Sequence, residues 1–441
     1  MRGETVAELR PFEGYRYVLK APGDLGRLVS PPYDMIDKAM VDRLYDKDDH
    51  NVVRIIQSRK EATDGSNRDR HLRAAALLDQ WIKAGVIARD QAPSLYVYQQ
   101  EFSIPQGTQT VSYRRTAVIS LVSLVDYSEG VVFPHENTLS GPKADRYELL
   151  QAARTHAELI FGIVPDDGSL FTTICSCAAG AGAPVGVFDT DEGVHHTLYR
   201  TDGTAAIQSL ISALKKSTIL IADGHHRYET ALKFFRDTKN PKFGHAVMAL
   251  VSSADPGLVI RPFHRVIRSS PGTLSVPLHE ALADFFDKKD LGPATSPQVS
   301  AFLDGRTDHE MLFIDSTTRH LYGLCLSKAG DRFIGDNLAG MSRAWNRLDV
   351  SKINSIVVKK ILGLPLDGTV LHDLIDYVNN SAAAFDAAMA GDGVRGAFFI
   401  KPIDMATVNS IVSTGERMPQ KSTNFFPKFY SGLVFYRPEN A

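Results

Sequence analysis

Residues 219–232 read ILIADGHHRYETAL, and this stretch decides the fold. Its first four positions are apolar and follow Ser217 and Thr218, a run that favours an extended strand. Gly224 then lets the backbone turn tightly. Beyond it, Tyr228, Ala231, Leu232 and Phe235 fall at i, i+3, i+4 and i+7, which is one apolar helix face. The spacing predicts a strand, a sharp corner and a helix.

Asp223, Gly224, His225, His226 and Arg227 occupy that corner. The first turn of a helix carries unpaired N–H groups and the positive end of the dipole, so it favours anions. Arg227 adds a planar fork suited to phosphate oxygens. Asp223, at the strand end, can hold Mg²⁺ or accept a hydroxyl proton. A zinc site fits less well, because neighbouring helical residues point about 100° apart whereas helical histidine ligands recur at i and i+4. In the plainest alternative, Asp223 only caps the helix and the histidines pair with it at the surface. So many polar groups without apolar dilution favour a phosphate or nucleotide site.

The rest of the chain gives the context. At 441 residues it exceeds the usual size of a single core, so two domains are expected. With 49 basic against 51 acidic residues, charge gives no sign of a nucleic-acid or acidic-membrane surface. Cys175, Cys177 and Cys325 lack zinc-site spacing and suit a reducing compartment. No apolar leader and no membrane-length run is found, so a cytoplasmic protein is expected.

Residues 51–57, NVVRIIQ, read as a short buried strand, and residues 68–85 as a helix ending at Gly85. Two strands are expected on either side of the turn at 105–110. A helix and then a strand are expected over 143–164. Residues 166–210 read as short strands and loops, and a helix is placed around 371–378. The mixed order of strands and helices gives an α/β or α+β fold with mixed sheets. A Ser/Pro/Gly break near 271 divides the chain into 1–270 and a C-terminal α/β part, 271–441, whose tail is expected to return to the site.

The corner resembles the DGHHRY box of free serine kinases, in the ParB/sulfiredoxin superfamily. Those kinases also carry an upstream HE whose glutamate is the general base. Residues 132–146, VFPHENTLSGPKADR, supply His135 and Glu136. The resemblance implies a ParB/sulfiredoxin-like core, with residues from about 160 to 215 as an insertion. Over nearly its whole length the chain also resembles the domain-of-unknown-function family 1015. The stretches that carry this are SPPYDMI, NVVR, FPHENT, PKADR, ADGHHRYETAL, HRV and the terminal MPQKSTNFFPK with GLV. That family implies no settled activity.

Lys143 and Arg146 either neutralise phosphate or sit on a solvated helix start. Asp34 and Arg54 join the candidates mainly through the family resemblance. GERMPQKST at 415–423 nearly matches a phosphate loop, but Gln420 replaces its second glycine and Pro427 forbids the helix that should follow. A Walker fold is therefore rejected, while Lys421, Ser422, Thr423 and Lys428 are expected to reach the site as a basic flap.

The resulting expectation is a small-molecule kinase using ATP or ADP with Mg²⁺, in which Glu136 is the base. Asp223 and His225 assist it, and Gly224, His226 and Arg227 hold phosphates. A non-catalytic nucleotide switch and a histidine-dependent phosphatase are the alternatives. The expected partner is a small-molecule substrate, with no nucleic acid and no membrane, and with a homodimer left open.

Overall fold

The computed structural model describes residues 7–106, 109–137, 140–215, 217–269, 276–366 and 374–438. It is a mixed α/β protein built on two large sheets.

The first sheet contains nine described strands. Eight of them run in the order Val132–Pro134, Ile219–Asp223, Ile160–Val164, His245–Ser252, Gln109–Ser123, Leu95–Gln106, His195–Thr201 and Gly186–Asp189. Leu9–Arg10 pairs with Gln109–Ser123 off this path. Two contacts are parallel, Val132–Pro134 with Ile219–Asp223 and Ile160–Val164 with His245–Ser252. Along Gln109–Ser123 the inner end alternates: Ala117, Ile119 and Leu121 enter one apolar cluster, while Val118 and Val122 enter another. A strand covered on both faces reads as a continuous apolar run, and this one is such a strand.

The second sheet is antiparallel, in the order Phe286–Pro293, His320–Leu326, Met311–Asp315, Val394–Ile400, His264–Arg268 and Ile375–Val378. It too has a core on each face, with Met311 and Phe313 on one side and Leu312 and Ile314 on the other. The expected break near 271 lies among residues 270–275, outside the described residues, and His264–Arg268 before it already belongs to this sheet. No helix among the described residues is long and apolar enough to cross a membrane.

Three local expectations need correction. The run NVVRIIQ is not a strand, because Val53–Ile56 is a single helical turn. Asn51 fixes it: its side-chain oxygen accepts the Val53 N–H at 3.0 Å, and its amide donates to the carbonyls of Arg27 and Val29. A short run buried on all sides carries no periodicity to tell helix from strand. The stretch 166–210 contains the helix Ser169–Gly180 and the start of Thr204–Leu214. Asp166 begins the first by accepting the Leu170 and Phe171 N–H groups at 3.0 and 2.9 Å. The helix placed around 371–378 falls partly outside the described residues, and Ile375–Val378 is a strand.

The C-terminal segment runs back over the first sheet. Met418 bridges to Glu136, Asn424–Phe426 pairs with Val259–Arg261, and Ser431, Phe435 and Tyr436 bridge to Ser30, Tyr15 and His156. Buried Arg115 fastens it, donating to the carbonyls of Phe426 and Pro427 between the rings of Phe161 and Phe429.

Candidate functional site

The predicted corner forms as read. Ile219–Asp223 is a strand, and Gly224 turns the chain with a φ of 85°. The helix His225–Thr238 follows, burying Tyr228, Ala231, Leu232 and Phe234. A side chain at Gly224 would also meet the Arg227 guanidinium at 3.0 Å. The corner opens on a cleft of about 650 Å³, within the size range of small-molecule sites.

Its walls come from distant parts of the chain. Tyr33 and Asp34, Glu136 and Asn137, Asp223–Arg227, Phe263, Tyr377–Asn379 and, from the C-terminal segment, Gln420, Lys421, Thr423, Asn424 and Lys428 all contribute. Of the sequence candidates, Asp34, Glu136, Asp223, Gly224, His225, His226, Arg227, Lys421, Thr423 and Lys428 line it together.

Asp223 is the electrostatic hinge. Lys428 Nζ lies 3.1 Å from its Oδ1, and Arg227 Nη2 lies 2.7 Å from its Oδ2. Burial pushes its pKa up, but the two cations outweigh burial and hold the carboxylate well below its usual range. Arg227 turns its fork inward, with Nη1 on the Leu159 carbonyl and Nη2 on Asp223. Both of its terminal nitrogens therefore have protein partners.

Burial lowers the pKa of all three histidines. His135 is fully buried and its Nδ1 lies 2.6 Å from the Ile221 carbonyl, which can only accept, so Nδ1 carries the proton. Its Nε2 then accepts the Thr423 hydroxyl at 2.7 Å. Burial lowers its pKa to about 4. His225 Nε2 accepts the His135 N–H at 3.4 Å, and burial and His135 keep its pKa well below the ordinary value. Tyr33 Oη lies 3.5 Å from His226 Nδ1, and burial and Lys143 lower that ring's pKa.

Glu136 behaves differently. Its Oε2 is buried and has no hydrogen-bond partner among the described residues. Burial raises its pKa to about 7, against the pull of Lys421 and Lys428 and an N–H bond from Ser422. A carboxyl group in a cleft that titrates near neutrality is the electrostatic profile of a general base.

Other candidates lie elsewhere. Ser422 is buried behind the wall, its hydroxyl on the Pro419 carbonyl. Lys143 pairs with Glu229, and Arg146 with Glu158, Asp145 and the Ile56 carbonyl. Both sit on the helix Ser140–Ala153 and outside the cleft lining. Arg54 is tied to Asp49 and to the carbonyls of Tyr45 and Asp48, so it does not reach the cleft. Gln57, Phe263, Tyr377, Asn379 and Asn424 also line the cleft and are not legible in the sequence, since isolated amides and aromatics form no pattern.

The geometry does not fit the expected magnesium role of Asp223. Mg²⁺ takes carboxylate oxygens, and both oxygens of Asp223 already face cations. The described residues contain no cluster of three or more His, Cys, Asp or Glu suited to a metal.

Fold and site together define a mixed α/β protein with an anion-favouring helix corner and a buried carboxyl group in one cleft. Residues 9–351 match the family described as protein of unknown function DUF1015, and the chain belongs to that family. No curated protein matches it. Among solved structures, a free serine kinase variant in complex with AMP aligns at 10% identity and a TM-score of 0.35, over 74% of this chain and 89% of the other. A conserved hypothetical protein from Pyrococcus furiosus aligns at 12% identity and 0.33, over 71% and 93%. SbnI with a C-terminal truncation, from Staphylococcus aureus, aligns at 8% and 0.36, over 72% and 86%. Likenesses this low do not bear on activity.

Proposed function

We propose that the protein is a nucleotide-dependent small-molecule kinase that transfers a phosphoryl group from ATP or ADP to a hydroxyl. The supporting observation is Glu136, whose buried Oε2 has no hydrogen-bond partner among the described residues and whose pKa is about 7, beside the helix corner. In this reading the acceptor oxygen forms a bond to phosphorus as the bond to the leaving nucleotide breaks, and Glu136 takes the hydroxyl proton. Phosphoryl transfer asks the protein chiefly for positioning and charge neutralisation. The N–H groups at the start of the helix supply the second, together with Lys421, which has no carboxylate partner among the described residues.

Lys428 and Arg227 act by fixing Asp223, and no step is routed through magnesium. The motif resemblance makes free serine the first acceptor to try and a ParB/sulfiredoxin-like core the frame, with the chain dividing near residue 270. A histidine nucleophile is less well supported, because His225 Nε2 already accepts an N–H.

The test is Glu136→Gln, assayed with ATP or ADP and serine by mass spectrometry of the product. Turnover should fall by about 10²–10⁴-fold, with nucleotide affinity by calorimetry nearly unchanged. Transfer at the parental rate would remove Glu136 from the mechanism. A parent protein that phosphorylates no acceptor would leave the nucleotide switch as the better reading.

A further inference from the structure

Three charges of the cleft, Asp223, Arg227 and Lys428, are spent on one another, and its side-chain amides are not. Five side-chain amides line it: Gln57, Asn137, Asn379, Gln420 and Asn424. None of the five makes a side-chain hydrogen bond to another described residue. They arrive from four separate segments, so no single loop accounts for the convergence. Asn424 is only 2% exposed, so it is not an ordinary solvated surface amide. Each amide offers two N–H donors and an oxygen with two lone pairs. Phe263 and Tyr377 lie on the same walls and add ring surface.

This inventory fits one acceptor chemistry better than another. A zwitterionic amino acid needs an uncommitted anion for its ammonium group and a cation for its carboxylate. Asp223 is taken by Arg227 and Lys428, Glu136 is the proposed base, and Lys421 is needed by phosphate. Only Asp34 remains, and the amides would face nothing. A molecule with several hydroxyls, each both donor and acceptor, matches amides that are also both, and its C–H faces pack on aromatic rings.

We infer that the acceptor is a neutral polyhydroxylated molecule, a sugar or cyclic polyol, held by these amides with one hydroxyl at Glu136. This rests on the kinase reading for the fate of that hydroxyl and for reserving Glu136 and Lys421; the contact of the polyol with the amides is tested apart from transfer. Gln57 and Asn379 come from different parts of the chain and are remote from the corner in sequence, so they are the informative positions.

The experiment uses the full chain with glucose, ribose, myo-inositol and serine as probes. Binding is read by calorimetry with and without nucleotide, and transfer by mass spectrometry. At least one of the three polyols should bind, and Gln57→Leu and Asn379→Leu should each weaken it about tenfold with the melting temperature little changed. Binding of that polyol without phosphorylation would sink the kinase reading and keep the acceptor class. Phosphorylation of serine alone would keep the kinase reading and overturn this inference. Binding of no polyol, or polyol binding indifferent to both substitutions, would also overturn it.

Discussion

The carboxyl group proposed to do the chemistry should also be a burden on the fold, and Glu136→Gln measures that burden. The ordinary pKa of the group is 4.5, and in the folded protein it is about 7. Below about pH 4.5 both states hold the proton, so the group costs nothing. Between there and pH 7 the unfolded chain ionises while the folded chain does not, and stability falls with rising pH. Above pH 7 the cost is complete. A difference of about 2.5 units corresponds to about 3 kcal/mol at 1.36 kcal/mol per unit.

The side chain keeps 21% of its surface open to the cleft, so water relieves part of this and about 2–3 kcal/mol is expected. Glutamine keeps the shape and can still accept the Ser422 N–H, but it cannot ionise. The variant should therefore match the parent near pH 4.5 and exceed it by about 2–3 kcal/mol at pH 8, a rise of a few degrees in melting temperature. Urea denaturation of both proteins at the two pH values checks this. A variant no more stable than the parent at pH 8, or an offset that ignores pH, would refute the burial argument and remove the physical basis for Glu136 as a base.

Two further outcomes follow from the geometry. Arg227→Ala should cost about 3 kcal/mol in stability, because it strips the Leu159 carbonyl of a donor and leaves Asp223 with one cation instead of two; chemical denaturation that showed an unchanged midpoint would contradict this. Arg54→Ala should leave nucleotide and polyol affinity unchanged by calorimetry, since its guanidinium is held by Asp49 and the carbonyls of Tyr45 and Asp48 outside the cleft.

What could be read from the chain was what lay close together in it. The corner at 219–232 was legible because apolar run, glycine and helical face sit within one short stretch, and each signal restricts the next. The hairpin Leu95–Gln106 with Gln109–Ser123 was legible for the same reason. The run Val53–Ile56 was not, because complete burial erases the contrast between faces on which periodicity depends. The strand Ile375–Val378 was missed because its identity is set by pairing with His264–Arg268, more than a hundred positions earlier. The cleft amides were invisible for a related reason: their convergence is produced by topology, and no local pattern encodes it.

The same distance effect explains why the candidate site depends on the last residues of the chain. Asp223 ends the strand Ile219–Asp223 and Glu136 follows the strand Val132–Pro134, at places where burial alone would drive them to the neutral form. For Asp223 the compensating cations are Arg227, four positions on, and Lys428, 205 positions away. For Glu136 the compensation is weaker, from Lys421 and Lys428 at a distance and the Ser422 N–H. One segment, 418–428, thus supplies compensation to both carboxylates, and it is fixed by pairing of Met418 with Glu136 and of Asn424–Phe426 with Val259–Arg261. Asp223 receives enough compensation to stay ionised at any ordinary pH, while Glu136 receives only enough to titrate near 7. The split leaves a fixed charge on one carboxylate and an exchangeable proton on the other, which is what the proposed base requires.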